Sequence, residues 1–97
     1  MQHLSAEGLR RLDTAHREVA ALFALDELRP LLDPEDRGRY WCSRELAARL
    51  ARFEATAWPR IRAGHREPRN RLEELLATVA GSDLPRSADR LFKLLSP

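Results

Sequence analysis

Residues 19–25, Val-Ala-Ala-Leu-Phe-Ala-Leu, form the longest apolar run in this chain of 97 residues. They fall inside a helix predicted over residues 6–28, which Ser5 caps and Pro30 ends. One face of this helix carries residues at three- and four-residue steps, namely Leu9, Leu12, His16, Val19 and Phe23. Because residues 19–25 are apolar all round, we expect this half of the helix to be covered on several sides, at the centre of the fold.

Start and end signals in the sequence predict three further helices. Their expected ranges are residues 34–57, 68–80 and 86–95. Asp33 is a good N-cap and Pro34 suits the first helical position, so together they begin the second helix. Gly81 is expected in the left-handed conformation that ends many helices. Ser87, which follows Pro85, is the expected cap of the last helix.

These segments predict an all-α protein. No stretch alternates apolar and polar residues long enough to predict a strand, and β-branched residues are scarce. A chain of this length has room for one modest core, so a single helical domain over residues 1–97 is expected. Since the first two helices are long, the predicted fold is a four-helix arrangement built on a long antiparallel helical hairpin.

The second helix is predicted to have two different faces. Its main apolar stripe consists of Cys42, Leu46, Leu50, Phe53 and Ala57. The opposite side carries the small residues Ala48, Ala51 and Ala55. Because small side chains let another helix approach closely, this side is expected to pack on another helix or, in a homo-oligomer through the second helix, on another copy.

The composition excludes several classes of protein. Charged residues make up 33% of the chain and hydrophobic residues 43%, which is too apolar for a disordered chain. The single cysteine, Cys42, excludes an intramolecular disulfide framework and fits a reducing cytoplasm. The longest apolar run is far shorter than the ~20 residues that span a membrane, and the first residues lack the apolar segment of a secretion signal. We therefore expect a cytoplasmic protein without a membrane partner.

Arginine is concentrated in the middle of the chain. Residues 37–71 hold ten arginines against three acidic residues, whereas the whole chain has a net charge of only +2. An acidic residue four positions before a basic one favours an ion pair on a helix. The pairs expected on this basis are Glu7–Arg11, Asp13–Arg17, Asp33–Arg37, Glu35–Arg39, Glu45–Arg49, Glu67–Arg71 and Asp89–Lys93. Six arginines of the middle segment lack such a partner: Arg44, Arg52, Arg60, Arg62, Arg66 and Arg69.

These six arginines, with Trp58 nearby, are the candidate binding residues. A guanidinium group binds phosphate through two parallel hydrogen bonds, and an aromatic ring can stack on a base. The predicted function is a small non-enzymatic protein that binds nucleic acid through phosphate contacts, as a regulator or an accessory subunit. The alternative is a helical protein–protein interaction module, either a homo-oligomer or a subunit of a larger assembly, whose arginines meet an acidic protein surface.

The sequence contains no set of residues that indicates an enzyme, a cofactor or a metal site. His16 has no sequence-evident partner of the kind that a general base needs. His65 and Glu67 are too few ligands for zinc. Arginines close to Cys42 in sequence would favour its thiolate, but its place on an apolar stripe favours a buried, inert thiol. We therefore expect no enzymatic activity, no cofactor and no metal.

About a third of the chain resembles helix-turn-helix domains of the Cro/C1 type. The residues that carry the resemblance are Leu46-Ala47, Leu50, the run Arg60-Ile61-Arg62-Ala63-Gly64, and Pro68. In that family a recognition helix ends near a glycine and is followed by a proline and a further helix. Here Ala51 replaces the turn glycine, the spacing is one residue longer, and Pro59 falls inside the helix that would enter the major groove. These departures favour contact with phosphates over the reading of bases.

Overall fold

The structure is a computed structural model that describes the backbone of residues 6–95 and the side chains of residues 12–95. This part of the chain forms five helices and no strand. The helices are α1 (Ala6–Leu32), α2 (Arg39–Ala55), α3 (Trp58–Arg62), α4 (Arg71–Ala80) and α5 (Ala88–Leu94). The predicted all-α class is therefore confirmed, with one short helix more than the sequence indicated.

The helices pack as two main pairs around one apolar core. α1 lies mainly against α4, and α2 lies mainly against α5, while α1 and α2 touch each other much less. The largest fully buried apolar side chains are Leu25, Leu28, Leu46, Leu50, Val79 and Leu91. The predicted long hairpin of the first two helices is not confirmed, because each of them uses a later, shorter helix as its principal neighbour.

Pro30 does not end α1, contrary to the prediction. The helix continues to Leu32, and the N–H of Asp33 still donates to the carbonyl of Arg29 at 2.8 Å. Proline removes one backbone donor and crowds the preceding turn. Here the last turn is held in place because Leu28 and Leu32 are both buried in the core. Their burial offsets the local cost of the proline.

Asp33 organises a turn and does not cap the second helix. Its carboxylate accepts hydrogen bonds from the N–H groups of Arg37, at 2.7 Å, and Gly38, at 3.1 Å. The turn places Asp36 at φ 53° and Gly38 at φ 121°, so α2 begins only at Arg39. The predicted start at residue 34 is thus wrong, because the carboxylate binds the N–H groups of the connection between the helices.

Substitution of Asp33 tests this turn. Asp33 is buried, so Asp33→Ala leaves two backbone donors without their acceptor, and we expect the free energy of unfolding to fall by about 1–2 kcal/mol. Urea denaturation followed by circular dichroism measures the change. Glu35→Ala, which removes an exposed carboxylate from the same turn, should cost clearly less. Equal losses in the two variants would contradict the assigned role of Asp33.

The region between α2 and α4 is more structured than a simple connection. α2 ends at Ala55, two residues before the predicted end, and the five-residue α3 follows with Pro59 in its first turn. Proline is accepted there because the first N–H groups of a helix have no partner within that helix. The predicted break at Pro59 is therefore the start of a new helix. Residues 63–70 then form the connection to α4.

α4 starts three residues later than predicted, at Arg71. Asn70 is its N-cap, and its side chain accepts from the N–H of Glu73 at 2.9 Å. Gly81 follows the helix at φ −77°, so the expected left-handed conformation is wrong. A side chain at Gly81 would instead meet the ring of Trp58, at 3.6 Å from its Cβ. The predicted cap of the last helix is confirmed, since the Ser87 side chain accepts from the N–H of Arg90.

The apolar stripe predicted for α1 points away from the core. Leu12, Val19 and Phe23 are 46%, 51% and 67% exposed, and His16 is also exposed. The side chain of Leu9 lies outside the described side chains. The buried face consists instead of Ala21, Ala24, Leu25, Leu28 and Leu32. Residues 19–25 are thus covered on one side only, because α4 is the main neighbour of α1.

Candidate functional site

One exposed face of α2 carries two of the candidate arginines. Arg44 and Arg52 lie on the side opposite the buried stripe, and Ala48, Ala51 and Ala55 lie beside them. Their spacing of three to four residues keeps them on one side of the helix. The guanidinium carbon of Arg44 is 6.0 Å from the centre of the Tyr40 ring. The small-residue face of the sequence prediction is therefore an exposed surface that also bears positive charge.

An open cleft of about 460 Å³ lies at the end of this face. It is lined by Ala55, Thr56, Ala57, Arg60, Arg66, Arg69 and Glu73. The end of α2, α3, the connection of residues 63–70 and the start of α4 contribute to this lining. Three arginines therefore meet in one concave site, one from α3 and two from the connection. We call the exposed arginines Arg44, Arg52, Arg60 and Arg69 the arginine strip.

Arg66 pairs with a carboxylate that the sequence pattern did not indicate. One of its terminal nitrogens contacts both carboxylate oxygens of Glu73, at 2.7 and 2.9 Å, and the two side chains are only 16% and 20% exposed. Glu73 also accepts from the backbone N–H of Arg69 at 2.8 Å. The hydrogen bond from Arg66, followed by that from Arg69, lowers the pKa of Glu73. The pair spans a loop and the start of a helix, so helical spacing could not reveal it.

The remaining predicted ion pairs are confirmed only in part. Asp13–Arg17 and Glu45–Arg49 form at 2.7 and 2.9 Å. Arg71 pairs with Glu27 on α1 at 2.6 Å and with Glu74 at 3.0 Å, so its predicted pairing with Glu67 is wrong.

Two other arginines of the predicted pairs contact aromatic rings instead. Arg37 binds Glu35 and lies over the ring of Trp41, and Arg39 lies over the ring of Phe92 at 4.0 Å. Between residues 12 and 95, no ion pair joins Asp89 to Lys93, and the side chain of Arg11 is outside that range. Among the candidate arginines, five have side chains that form no ion pair within the described residues: Arg44, Arg52, Arg60, Arg62 and Arg69.

Arg62 and Trp58 belong to a different part of the surface. They line a second cleft of about 590 Å³ between α1, α3 and the end of α4, together with Arg17. Trp58 is half-buried and packs on Phe53, with 6.3 Å between the ring centres. The structure therefore separates the candidate residues into the arginine strip and this second cleft. Trp58 is partly buried against the apolar core.

The groups considered for catalysis lie apart from both clefts. Cys42 is buried, and burial followed by the charge of Asp33 raises the pKa of its thiol, which favours the uncharged form. His16 is exposed on α1. Among the described residues, no three His, Cys, Asp or Glu side chains are grouped to hold a metal ion. Over the same residues, no helix has the length and apolar character needed to cross a membrane.

The chain was compared with protein families, curated proteins and solved structures. It matches no family model, and neither a curated protein nor a solved structure is detectably similar to it.

Proposed function

We propose that this chain is a small non-enzymatic protein that binds nucleic acid through contacts between the arginine strip and phosphates, as a regulator or an accessory subunit. The observation that carries the proposal is the arrangement of these exposed arginines along α2 and the cleft at its end. Phosphate contacts supply most of the sequence-independent affinity of proteins for nucleic acid. A row of guanidinium groups is suited to them.

Three acidic residues near the strip support the proposal because their carboxylates are already paired. Glu45 binds Arg49, Glu54 binds Arg86, and Glu73 binds Arg66. A paired carboxylate neutralises little of the charge of any other arginine. The strip therefore keeps a positive potential that attracts a polyanion.

The size and shape of the strip also fit a nucleic-acid backbone. Arg44 and Ala55 are separated by about 17 Å along α2, at 1.5 Å per residue. With one phosphate per roughly 3.4 Å of each strand, that length matches about five nucleotides before the cleft is reached. The exposed alanines between the arginines leave room for a backbone to approach closely.

The short α3 favours contact with phosphates over the reading of bases. A helix does end near Gly64, as in the helix-turn-helix resemblance, but Trp58–Arg62 is less than two turns long and has Pro59 at its start. A recognition helix needs several side chains on one face within the major groove. Little sequence preference is therefore expected.

Replacement of the strip is the test of this proposal. We expect the unmodified protein to bind random single-stranded DNA, duplex DNA or RNA in fluorescence anisotropy. For four phosphate contacts on duplex DNA, a rise from 50 to 200 mM salt should weaken binding about a hundredfold. Simultaneous change of Arg44, Arg52, Arg60 and Arg69 to Gln should abolish binding and the salt dependence.

A matched variant controls for net charge. It changes Arg17, Arg37, Arg90 and Lys93 to Gln, which removes the same charge from positions outside the strip and leaves the pairs of Glu45, Glu54 and Glu73 intact. It should bind nearly as well as the unmodified protein. Equal losses in both variants, or no binding to any of the three nucleic acids at low salt, would reject the proposal in favour of an acidic protein partner.

A further inference from the structure

We infer that two copies of this chain pair through the outward stripe of α1, formed by Leu12, His16, Val19 and Phe23. Three of these residues are apolar, and they are between 46% and 67% exposed: Leu12, Val19 and Phe23. All side chains from residue 12 to residue 20 are exposed, so this length of α1 has little cover from the rest of its own chain. The inference concerns a different surface from the arginine strip and does not depend on nucleic-acid binding.

The outward stripe lies on the opposite side of α1 from the core. With 100° between successive residues, its mean direction is about 160° from that of Ala21, Ala24, Leu25 and Leu28. α4 can therefore cover the inner face without touching the stripe. A helix with apolar side chains on two opposite faces needs a partner on each of them.

The exposed length of α1 is difficult to explain without a partner helix. Isolated helices of about 15 residues are only marginally stable in water, and most helical stability in proteins comes from packing of an apolar face. The stripe would supply such packing if another helix covered it. Exposed apolar patches of this kind mark interaction surfaces in folded proteins.

The spacing of the stripe identifies the partner as a second copy. Residues 12, 16, 19 and 23 are separated by four, three and four positions, which is the a/d pattern of a two-helix coiled coil. The helix that fits such a stripe has the same spacing, and α1 of another copy provides it. The charge beside the stripe is partly neutralised within each copy, because Asp13 binds Arg17 at 2.7 Å.

The residues of the stripe favour an antiparallel pair. In a parallel pair, His16 would face its own counterpart, and so would Asp26 at the next position of the pattern. Two carboxylates facing each other in an apolar seam are unfavourable. An antiparallel pair centred between His16 and Val19 places Leu12 against the partner's Phe23 and His16 against the partner's Val19. No residue of the stripe then faces its own counterpart.

Sedimentation velocity of the full chain tests the pairing. The stripe is smaller than a standard interface, so we expect a dimer with a dissociation constant of about 10–100 µM. Val19→Glu together with Phe23→Glu should give a monomer with an unchanged circular dichroism spectrum, because both side chains are exposed. A strict monomer at ~500 µM, or a dimer that survives the double change, would overturn the inference.

Two further variants locate and orient the pairing. Ala48→Glu with Ala51→Glu adds the same charge to the exposed face of α2 and should leave the dimer intact; loss of the dimer in this variant alone would place the interface on α2. Leu12→Cys should remain without an intermolecular disulfide on mild oxidation, because the antiparallel pair separates the two copies of residue 12 by about 16 Å. Ready cross-linking would overturn the antiparallel arrangement.

Discussion

Leu50→Ala is expected to lower the free energy of unfolding by about 2–5 kcal/mol. Leu50 is 0% exposed and belongs to the core cluster that also contains Leu46, Val79 and Leu91. The cost combines the lost transfer free energy of the side chain with the cavity that it leaves. Since a domain of this size is stable by only about 5–15 kcal/mol, a large part of the stability would be lost.

Urea denaturation followed by circular dichroism measures this loss, and thermal denaturation should show a midpoint lower by about 10–30 °C. Leu31→Ala is the matched control, because the same side chain is removed from a position that is 50% exposed. It should change the stability by less than about 1 kcal/mol. Comparable losses in the two variants would mean that α2 does not lie at the centre of the core.

Arg86→Ala is expected to have the second large effect, a loss of about 2–3 kcal/mol. The Arg86 guanidinium donates to the carbonyls of Ala80 and Ser82, at 3.1 and 3.0 Å, and to the carbonyl of Leu84. It also pairs with Glu54 on α2 at 2.9 Å. The Arg86 side chain thus joins backbone carbonyls at the end of α4 and in the connection between α4 and α5, and it links this connection to α2. Partial solvent exposure limits the loss, because water can replace some of these bonds.

Arg86→Lys should restore little of this stability. A lysine ammonium lacks the planar set of donors that reaches several carbonyls and a carboxylate at once. Arg90→Ala, at an exposed position four residues away, should be nearly neutral by the same urea measurement. Full recovery in the lysine variant would show that only the charge at residue 86 matters.

The fold was predictable where the cause lies within a few residues. The all-α class follows from helical periodicity, and the cap at Ser87 follows from a hydroxyl that accepts from an N–H three residues away. Asp33 shows the limit of such signals. The same carboxylate can cap a helix or hold a turn, and here it accepts from the N–H groups of Arg37 and Gly38 in the turn.

The candidate site was predictable only as a set of residues. Sequence identified the four members of the arginine strip, and their role in binding stays a prediction. Sequence did not find the partner of Arg66, the multiple contacts of Arg86, or the separation of Arg62 from the strip. These features depend on residues that the fold brings together from different helices and connections. The single domain and the cytoplasmic location likewise stay predictions.

The sequence by itself determined that the protein is all-α and which side chains are apolar, because both depend on local periodicity and composition. Tertiary structure decided which apolar face is used. Leu12, Val19 and Phe23 have the same spacing as a core stripe, yet they are exposed, whereas Leu25 and Leu28 are buried. When a helix has apolar residues on two faces, its own sequence does not specify which face packs against the core. The position of α4 against α1 settles this choice, and the free energy of burying those residues depends on that neighbour.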